Sequence, residues 1–529
     1  MHEISSLIGP PRCYHIIVLS LIFVRAIPSS WNTMAALFIA ADVDHWCSQS
    51  SLTDWSEGDW NNVNDSEHVT MFERSSCLVI PIQSLLVNSS EEPFSKYAAA
   101  PCEAWTYNES LEGSSVVPEW NLVCQHEWKR SMMTSVAFAG FLLGSLVMGH
   151  VSDRFGRRTA FFGSVFLAAL FGATGAASPS VIWYNALRFF TCVAIAGIQT
   201  SSAALLVEIL DPRYRTLFNL PYTAGFPLSG LALPGVAHLL GSWRLLQLVI
   251  GLSALACVPF MFVVQESPRW LITTGQEKRA ERAIAKILRM NRRTVPDWHA
   301  HMRNIVVKIK EASATSMGPL EILRNRVIRN NTMKLFAVWF ADGILYYTFV
   351  TNSVHIKGNY MVNFAISTAA EMPASLLGLA LVYYCRRRPS EVACLLIGAA
   401  VAVAEQLTPT EYYYVGLSLS MAGRFMLGLS AAFKWVWTLE LYPTAARGFG
   451  FSVCFTVGRV GGILAPFVTL LMLNSAAGYL VEPAGPRQGG DDALFSGSRE
   501  SFTGNINSMM MIVVVVVAMT KITAHGSTK

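Results

Sequence analysis

The sequence predicts an all-α membrane protein built from two six-helix pseudo-repeats, and three features carry that expectation. Only 14% of the 529 residues are charged and 52% are hydrophobic, against roughly 25% charged in an average soluble domain. Apolar runs long enough to cross a bilayer, at about 20 residues per 30 Å of hydrocarbon, recur along the chain. Charged turns also repeat between the halves. Gly156-Arg157-Arg158 and then Glu208 with Arg215 are echoed by Arg386-Arg387-Arg388 and then Glu440 with Arg447, at the same seven-residue Glu-to-Arg spacing. Parallel repeats with a site between them at mid-depth describe one class of secondary transporter.

The first apolar run extends from Tyr14 to Ala40, interrupted by Arg25, Pro28 and Asn32. A cleaved signal peptide is the alternative reading, but the run continues past Pro28 to spanning length, which favours a retained helix. Residues 42–130 form a long loop with fifteen Asp/Glu against four Lys/Arg, the kind that faces outward. It holds Cys47, Cys77, Cys102 and Cys124 together with acceptor motifs at Asn64, Asn88 and Asn108. An even set of cysteines among clustered sequons reads as a disulfide-bonded, glycosylated outer loop.

Five further spans follow, near Ser131–Val151, Thr159–Ala177, Val181–Val207, Leu217–Leu240 and Leu245–Val264, with a basic turn at Ser152–Arg158. They complete an N-terminal half at residues 1–264. Residues 265–334 are polar and amphipathic, with fifteen Lys/Arg against six Asp/Glu, which places this linker in the cytoplasm, and the N-terminus with it. The second half, 335–529, shows spans near Leu335–Ser353, Asn359–Tyr383, Val392–Leu407, Tyr413–Leu439 and Phe449–Leu473. Its twelfth span is poor: within an atypical tail from about residue 477, only Met509–Met519 is continuously apolar. About eleven residues reach half of a bilayer core.

Several functions find no support in this pattern. The net charge of +5 is small, and its basic residues sit in loops rather than in a nucleic-acid footprint. The chain carries no phosphate-binding loop, no nucleophile elbow and no metal-ligand spacing of His and Cys. The expectation is therefore no enzyme, no cofactor, no metal and no nucleic acid; the partner implied by the apolar runs is the lipid bilayer.

Three motifs carry a family resemblance. Gly149-His150-Val151-Ser152-Asp153-Arg154-Phe155-Gly156-Arg157-Arg158 resembles the signature loop of the major facilitator superfamily. Glu266-Ser267-Pro268-Arg269-Trp270-Leu271, and Glu440-Leu441-Tyr442-Pro443-Thr444 with Arg447, resemble the organic ion transporters within it, solute carrier family 22. The likeness covers roughly residues 14–473 and implies the major facilitator fold in the plasma membrane, with a small organic ion as substrate. It also makes Asp153, Arg154, Arg158, Glu208, Arg215, Glu266, Arg269, Glu440 and Arg447 candidate gating charges. Pairs of these at cytoplasmic helix ends bias a two-state equilibrium when they join and part. The other reading is that they anchor helix ends in the headgroup layer.

Substrate class rests on charges within spans, where an ionisable group needs a partner or a watery path. Arg459 lies about ten residues into its span, roughly 15 Å deep at 1.5 Å per residue. The resemblance sets it with organic anion and carnitine-type members, which have arginine here, whereas cation members carry aspartate. Two partners are open to it: an anionic substrate, whose carboxylate suits a guanidinium fork, or Asp342 in the seventh span. Lys434 stands where cation members have glutamate, and is either a second substrate charge or a lysine snorkelling to the cytoplasmic surface about 9 Å away. Tyr346, Tyr347, Phe433 and, more loosely, Phe226 match aromatic wall positions of the anion transporters. Arg25 and Asn32 point to a polar path or an internal pair.

The chain departs from the family at its end. No acidic motif closes the second half, Gly485–Gly504 replaces a short outer turn, and Cys385 stands where glycine is usual. The expected function is a carrier of organic anions or zwitterions such as carnitine-like compounds, working by alternating access. An organic cation carrier, a sugar carrier and a transport-inactive receptor are the alternatives.

Overall fold

The computed structural model describes residues 4, 7–47, 78–79, 100–102, 104–107, 114–210, 220–295, 298–314, 324–409, 412–442 and 447–477. Among these, 11 helices are long and apolar enough to cross a membrane. In order they are Cys13–Ile39, Cys124–Phe155, Arg157–Gly175, Val181–Ile209, Thr223–Leu240, Trp243–Phe262, Arg326–Val354, Tyr360–Tyr384, Arg387–Leu407, Tyr413–Leu441 and Gly450–Phe467, called spans 1 to 11 below. The expected twelfth span and the tail lie outside the described residues.

Prolines shape two spans in the same way. A proline lacks the N–H that would serve the carbonyl four residues back. Span 1 accordingly breaks after Val24, four residues before Pro28. Span 8 breaks after Ala369, four residues before Pro373. Span 6 tightens to a 3₁₀ helix over Ser253–Phe262, around Pro259.

The basic turn expected at Ser152–Arg158 is far shorter in the structure. Span 2 runs to Phe155, Gly156 alone makes the turn at φ 102°, and span 3 begins at Arg157. That backbone conformation suits glycine, and a Cβ there would press on the Glu266 carboxylate and the Trp270 ring. The charges of the motif therefore sit on helix ends rather than in a loop.

The amphipathic linker folds into helices Pro268–Thr273, Glu277–Met290 and Trp298–Ala314. Ser267 caps the first of these, accepting from the Trp270 N–H at 3.3 Å, with Pro268 at the first helical position, where its missing N–H costs nothing. The second buries Ala280, Ala283, Ile284, Ile287 and Leu288 on one face. Asn291 then accepts the Tyr14 backbone N–H at 3.0 Å, tying the linker to span 1.

In the outer loop His45–Cys47 pairs antiparallel with Trp105–Tyr107, and Leu78–Val79 with Ala100–Pro101. Cys102 and Cys124 are both disulfide-bonded, whereas Cys77 and the Cys47 side chain lie outside the described residues, as do Asn64, Asn88 and Asn108. The short helix Val116–Trp120 docks the loop on the bundle: Trp243 Nε1 donates to Glu119 Oε2 at 2.8 Å, and Arg244 pairs with the same carboxylate.

The halves meet where span 2 packs on span 11 and span 5 on span 8. Ser135 Oγ donates to the Ile463 carbonyl, and Ser145 bonds Thr456, both at 2.8 Å. At the outer ends Phe38 of span 1 packs edge-on against Phe364 at 5.1 Å and lies 6.2 Å from Tyr360. This aromatic contact bridges the two halves at the end of the bundle that carries the loop of residues 42–130, here called the outer mouth.

Candidate functional site

A cavity of about 180 Å³ lies between the halves. Span 7 contributes Asp342 and Tyr346, one helical turn apart on one face, with Tyr347 beside them. Spans 1, 4 and 5 contribute Arg25, Gln199 and Phe226; spans 8, 10 and 11 contribute Glu371, Lys434 and Arg459. The lining thus draws charged groups from both halves into an otherwise apolar bundle.

Arg459 is 9% exposed and its partners among the described residues are neutral. One amino group donates to the Tyr347 hydroxyl at 2.9 Å and the other to Gln199 Oε1 at 3.1 Å. The guanidinium also lies 4.5 Å from the Phe455 ring centre and 5.0 Å from that of Phe141, the stacked setting a planar cation favours. Asp342, the internal partner considered for Arg459, bonds Lys434 instead.

That pair also corrects the second reading of Lys434. It does not snorkel: it is 4% exposed, held by Asp342 and placed 4.6 Å above the Trp339 ring. Asp342 on span 7, which packs against span 10, gives the ammonium a partner inside the bundle. Glu371, which the sequence reading passed over, accepts from Arg424 at 3.0 Å and from the Tyr346 hydroxyl at 3.3 Å. Both cavity carboxylates therefore have a cation of their own.

Phe433 is the misplaced aromatic. It sits next to Lys434, and consecutive helical residues point about 100° apart, so with Lys434 on the cavity Phe433 faces spans 8 and 9. There it packs with Ala374, Val382 and Cys394. Phe226, Tyr346 and Tyr347 do line the cavity, and Tyr347 packs on Phe138 of the other half at 4.3 Å. Arg25 lines the cavity as well, while Asn32 turns inward, its side chain donating to the Pro28 carbonyl at 2.8 Å and its own carbonyl accepting from Arg188 at 2.9 Å.

Several candidate gating charges form pairs, three of them with Arg157 or Arg387, which were not among the candidates. Glu208 pairs with Arg157 at 3.0 Å, and Asp153 pairs with the same guanidinium. Glu266 accepts the Arg158 backbone N–H at 3.0 Å, while the Arg158 side chain donates to the Met261 carbonyl at 2.6 Å. Glu440 pairs with Arg387 at 3.3 Å; the side chains of Arg447 and Arg215 lie outside the described residues. Arg154 is exposed beside Phe155 and Arg269 is half-buried. The Arg157–Glu208, Arg157–Asp153 and Arg387–Glu440 pairs each lie within one half, and the Arg158–Glu266 contact joins the first half to the linker.

A profile of the sugar (and other) transporter family matches residues 86–525. Rat solute carrier family 22 member 2 is 30% identical over 394 residues, covering 74% of this chain and 69% of that protein. The chain belongs to solute carrier family 22 of the major facilitator superfamily. Member 6-A of the family from Xenopus laevis is 29% identical across 82% of this chain and 80% of its own. Mouse organic cation/carnitine transporter 2 is 28% identical across 89% and 86%. The superfamily fold is seen again in the proton:xylose symporter XylE, with a TM-score of 0.55 at 17% identity over 75% of this chain and 86% of that one. Its inward-open form from E. coli gives 0.53 at 14% identity over 93% and 94%. This family member is a multi-pass membrane transporter.

Proposed function

We propose that this protein carries organic anions or zwitterions, carnitine-like compounds among them, across the plasma membrane by alternating access, with its N-terminus in the cytoplasm. The observation that supports this most is the state of Arg459. It is a cavity-lining guanidinium whose described partners are a hydroxyl and an amide, while Asp342 and Glu371 are each held by a neighbouring cation. A carboxylate or sulfonate entering the cavity gains the unneutralised charge; an organic cation meets carboxylates already engaged. Phe226, Tyr346 and Tyr347 supply flat apolar walls for the remainder of such a molecule. The family includes proteins named for organic cation and carnitine transport, and this reading places the chain on the side of substrates bearing a negative group.

Uptake of a radiolabelled aryl carboxylate, carnitine and a quaternary ammonium, in cells expressing the chain or its Arg459→Asp variant at matched surface level, tests this. The carboxylate and carnitine are taken up saturably by the parent, and the variant loses that uptake. Each charge-assisted hydrogen bond lost is worth about 1.5–3 kcal/mol, so uptake at low concentration falls at least about tenfold. Unchanged anion uptake by the variant removes Arg459 from the site, and preferred quaternary ammonium uptake by the parent overturns the substrate class.

A further inference from the structure

Behind the cavity wall, span 9 brings a carboxylic acid against the Lys434–Asp342 pair. Glu391 is fully buried, with 0% exposure. Its Oε1 lies 2.9 Å from Ser430 Oγ, and the same hydroxyl lies 2.9 Å from Asp342 Oδ1. A serine hydroxyl has one hydrogen to give, and an ionised carboxylate only accepts. Two contacts from one hydroxyl to two carboxyl groups therefore require that one carboxyl carries a proton and donates. Asp342 has Lys434 on its other oxygen; Glu391 Oε2 has no partner among the described residues. Leaving an unpaired ionised carboxylate in such a place is far costlier than leaving a paired one. The titratable groups facing Glu391 are Asp342 from span 7, Lys434 from span 10 and the Cys394 thiol one turn along its own helix.

We propose that Glu391 is a proton-binding site that links proton movement to substrate movement through Ser430, Asp342 and Lys434. This rests on the anion reading above, since Lys434 and Asp342 line the cavity and Glu391 stands one hydroxyl behind them. An anion seated at Arg459 that also draws Lys434, which lines the same cavity, toward itself leaves Asp342 without its cation. The Glu391 O–H then passes its proton to Ser430 Oγ as Ser430 passes its own to Asp342, which becomes neutral. Glu391, now a carboxylate, takes up one proton from the bath on the side from which the anion enters. One proton enters with each anion bound, so the net charge of the site is the same before and after, and anion and proton travel together.

Two measurements test this separately. In the purified protein without substrate, the infrared carbonyl stretch of a protonated carboxylic acid, with its shift in deuterated water, is expected in the parent and reduced by one group in Glu391→Gln; identical spectra overturn the proposal. In proteoliposomes holding a pH-sensitive dye, an external aryl sulfonate, too acidic to ferry a proton by itself, is expected to acidify the lumen of the parent as it enters. Glu391→Gln keeps sulfonate exchange and loses acidification. Ser430→Ala, which cuts the relay but leaves Glu391 in place, keeps the infrared band at a shifted frequency and also loses acidification. Sulfonate entry without acidification in the parent overturns the coupling and leaves the anion reading intact. Absence of sulfonate entry counts against the anion reading, and the infrared comparison then decides the proton site alone.

Discussion

Replacing Phe38 with alanine should open the outer mouth. The ring is 5% exposed and meets Phe364 and Tyr360 at 5.1 and 6.2 Å, both from the opposite half, so these contacts exist only while the mouth is shut. Each aromatic pair contributes about 0.5–1.5 kcal/mol beyond burial, and burying such a ring contributes about 1.5–3 kcal/mol. Part of the ring packs on its own half and stays covered when the mouth opens, which leaves about 2 kcal/mol, or roughly 30-fold, in the shut-to-open ratio. A cysteine at Ser375, on the cavity wall, reports this ratio through its modification rate by a thiol reagent that reaches it only from outside. Adding Phe38→Ala should raise that rate roughly 30-fold, with Phe38→Tyr close to the parent. A rate within about twofold of the parent at equal surface expression would mean that the aromatic contact does not set the conformational balance.

Three further outcomes follow from the packing. Arg157→Gln leaves Glu208, 13% exposed in its pair, without its cation and should cost about 3 kcal/mol in a thermal-shift assay, with Arg157→Gln/Glu208→Gln recovering part of the loss. Gly144→Ala would put a Cβ 2.6 Å from the Val193 carbonyl and 2.8 Å from the Ala196 Cβ; forcing spans 2 and 4 apart should cost about 1–3 kcal/mol and reduce folded yield. Cys102→Ser breaks a disulfide of the outer loop and should lower stability by about 2–5 kcal/mol, seen as loss of surface protein with unchanged synthesis.

The fold was legible because lipid imposes a simple rule on sequence: every spanning run must be long and apolar. The eleven expected spans near Tyr14–Leu473 and the amphipathic linker all reappear as helices. Their ends were less legible, since helix continues through charged residues such as Asp153 and Arg154 until a glycine allows the chain to turn. At the site, depth along a helix was readable and direction was not. Counting residues placed Arg459 and Lys434 within the membrane, yet only packing decides that Lys434 faces the cavity while Phe433 faces spans 8 and 9. Pairing was harder still, because Arg157 and Arg387 lay in the quoted motifs beside the arginines that were singled out. Glu371 and Arg424 gave the same signal as Arg459, a charge inside an apolar run, and a systematic search for that signal finds them; Glu391, one residue before the expected start of its span and close to a basic cluster, gave no such signal.

The distribution of bonds across the molecule bears on how it moves. The ion pairs Arg157–Glu208, Arg387–Glu440, Arg424–Glu371 and Lys434–Asp342 each lie within one half, whereas hydroxyls, aromatic rings and the Arg459–Gln199 hydrogen bond meet across the seam. Sliding one half past the other therefore separates no opposite charges among these groups. The charges named here ride with their own half through the cycle, and screening these four pairs with salt should change the balance between states little.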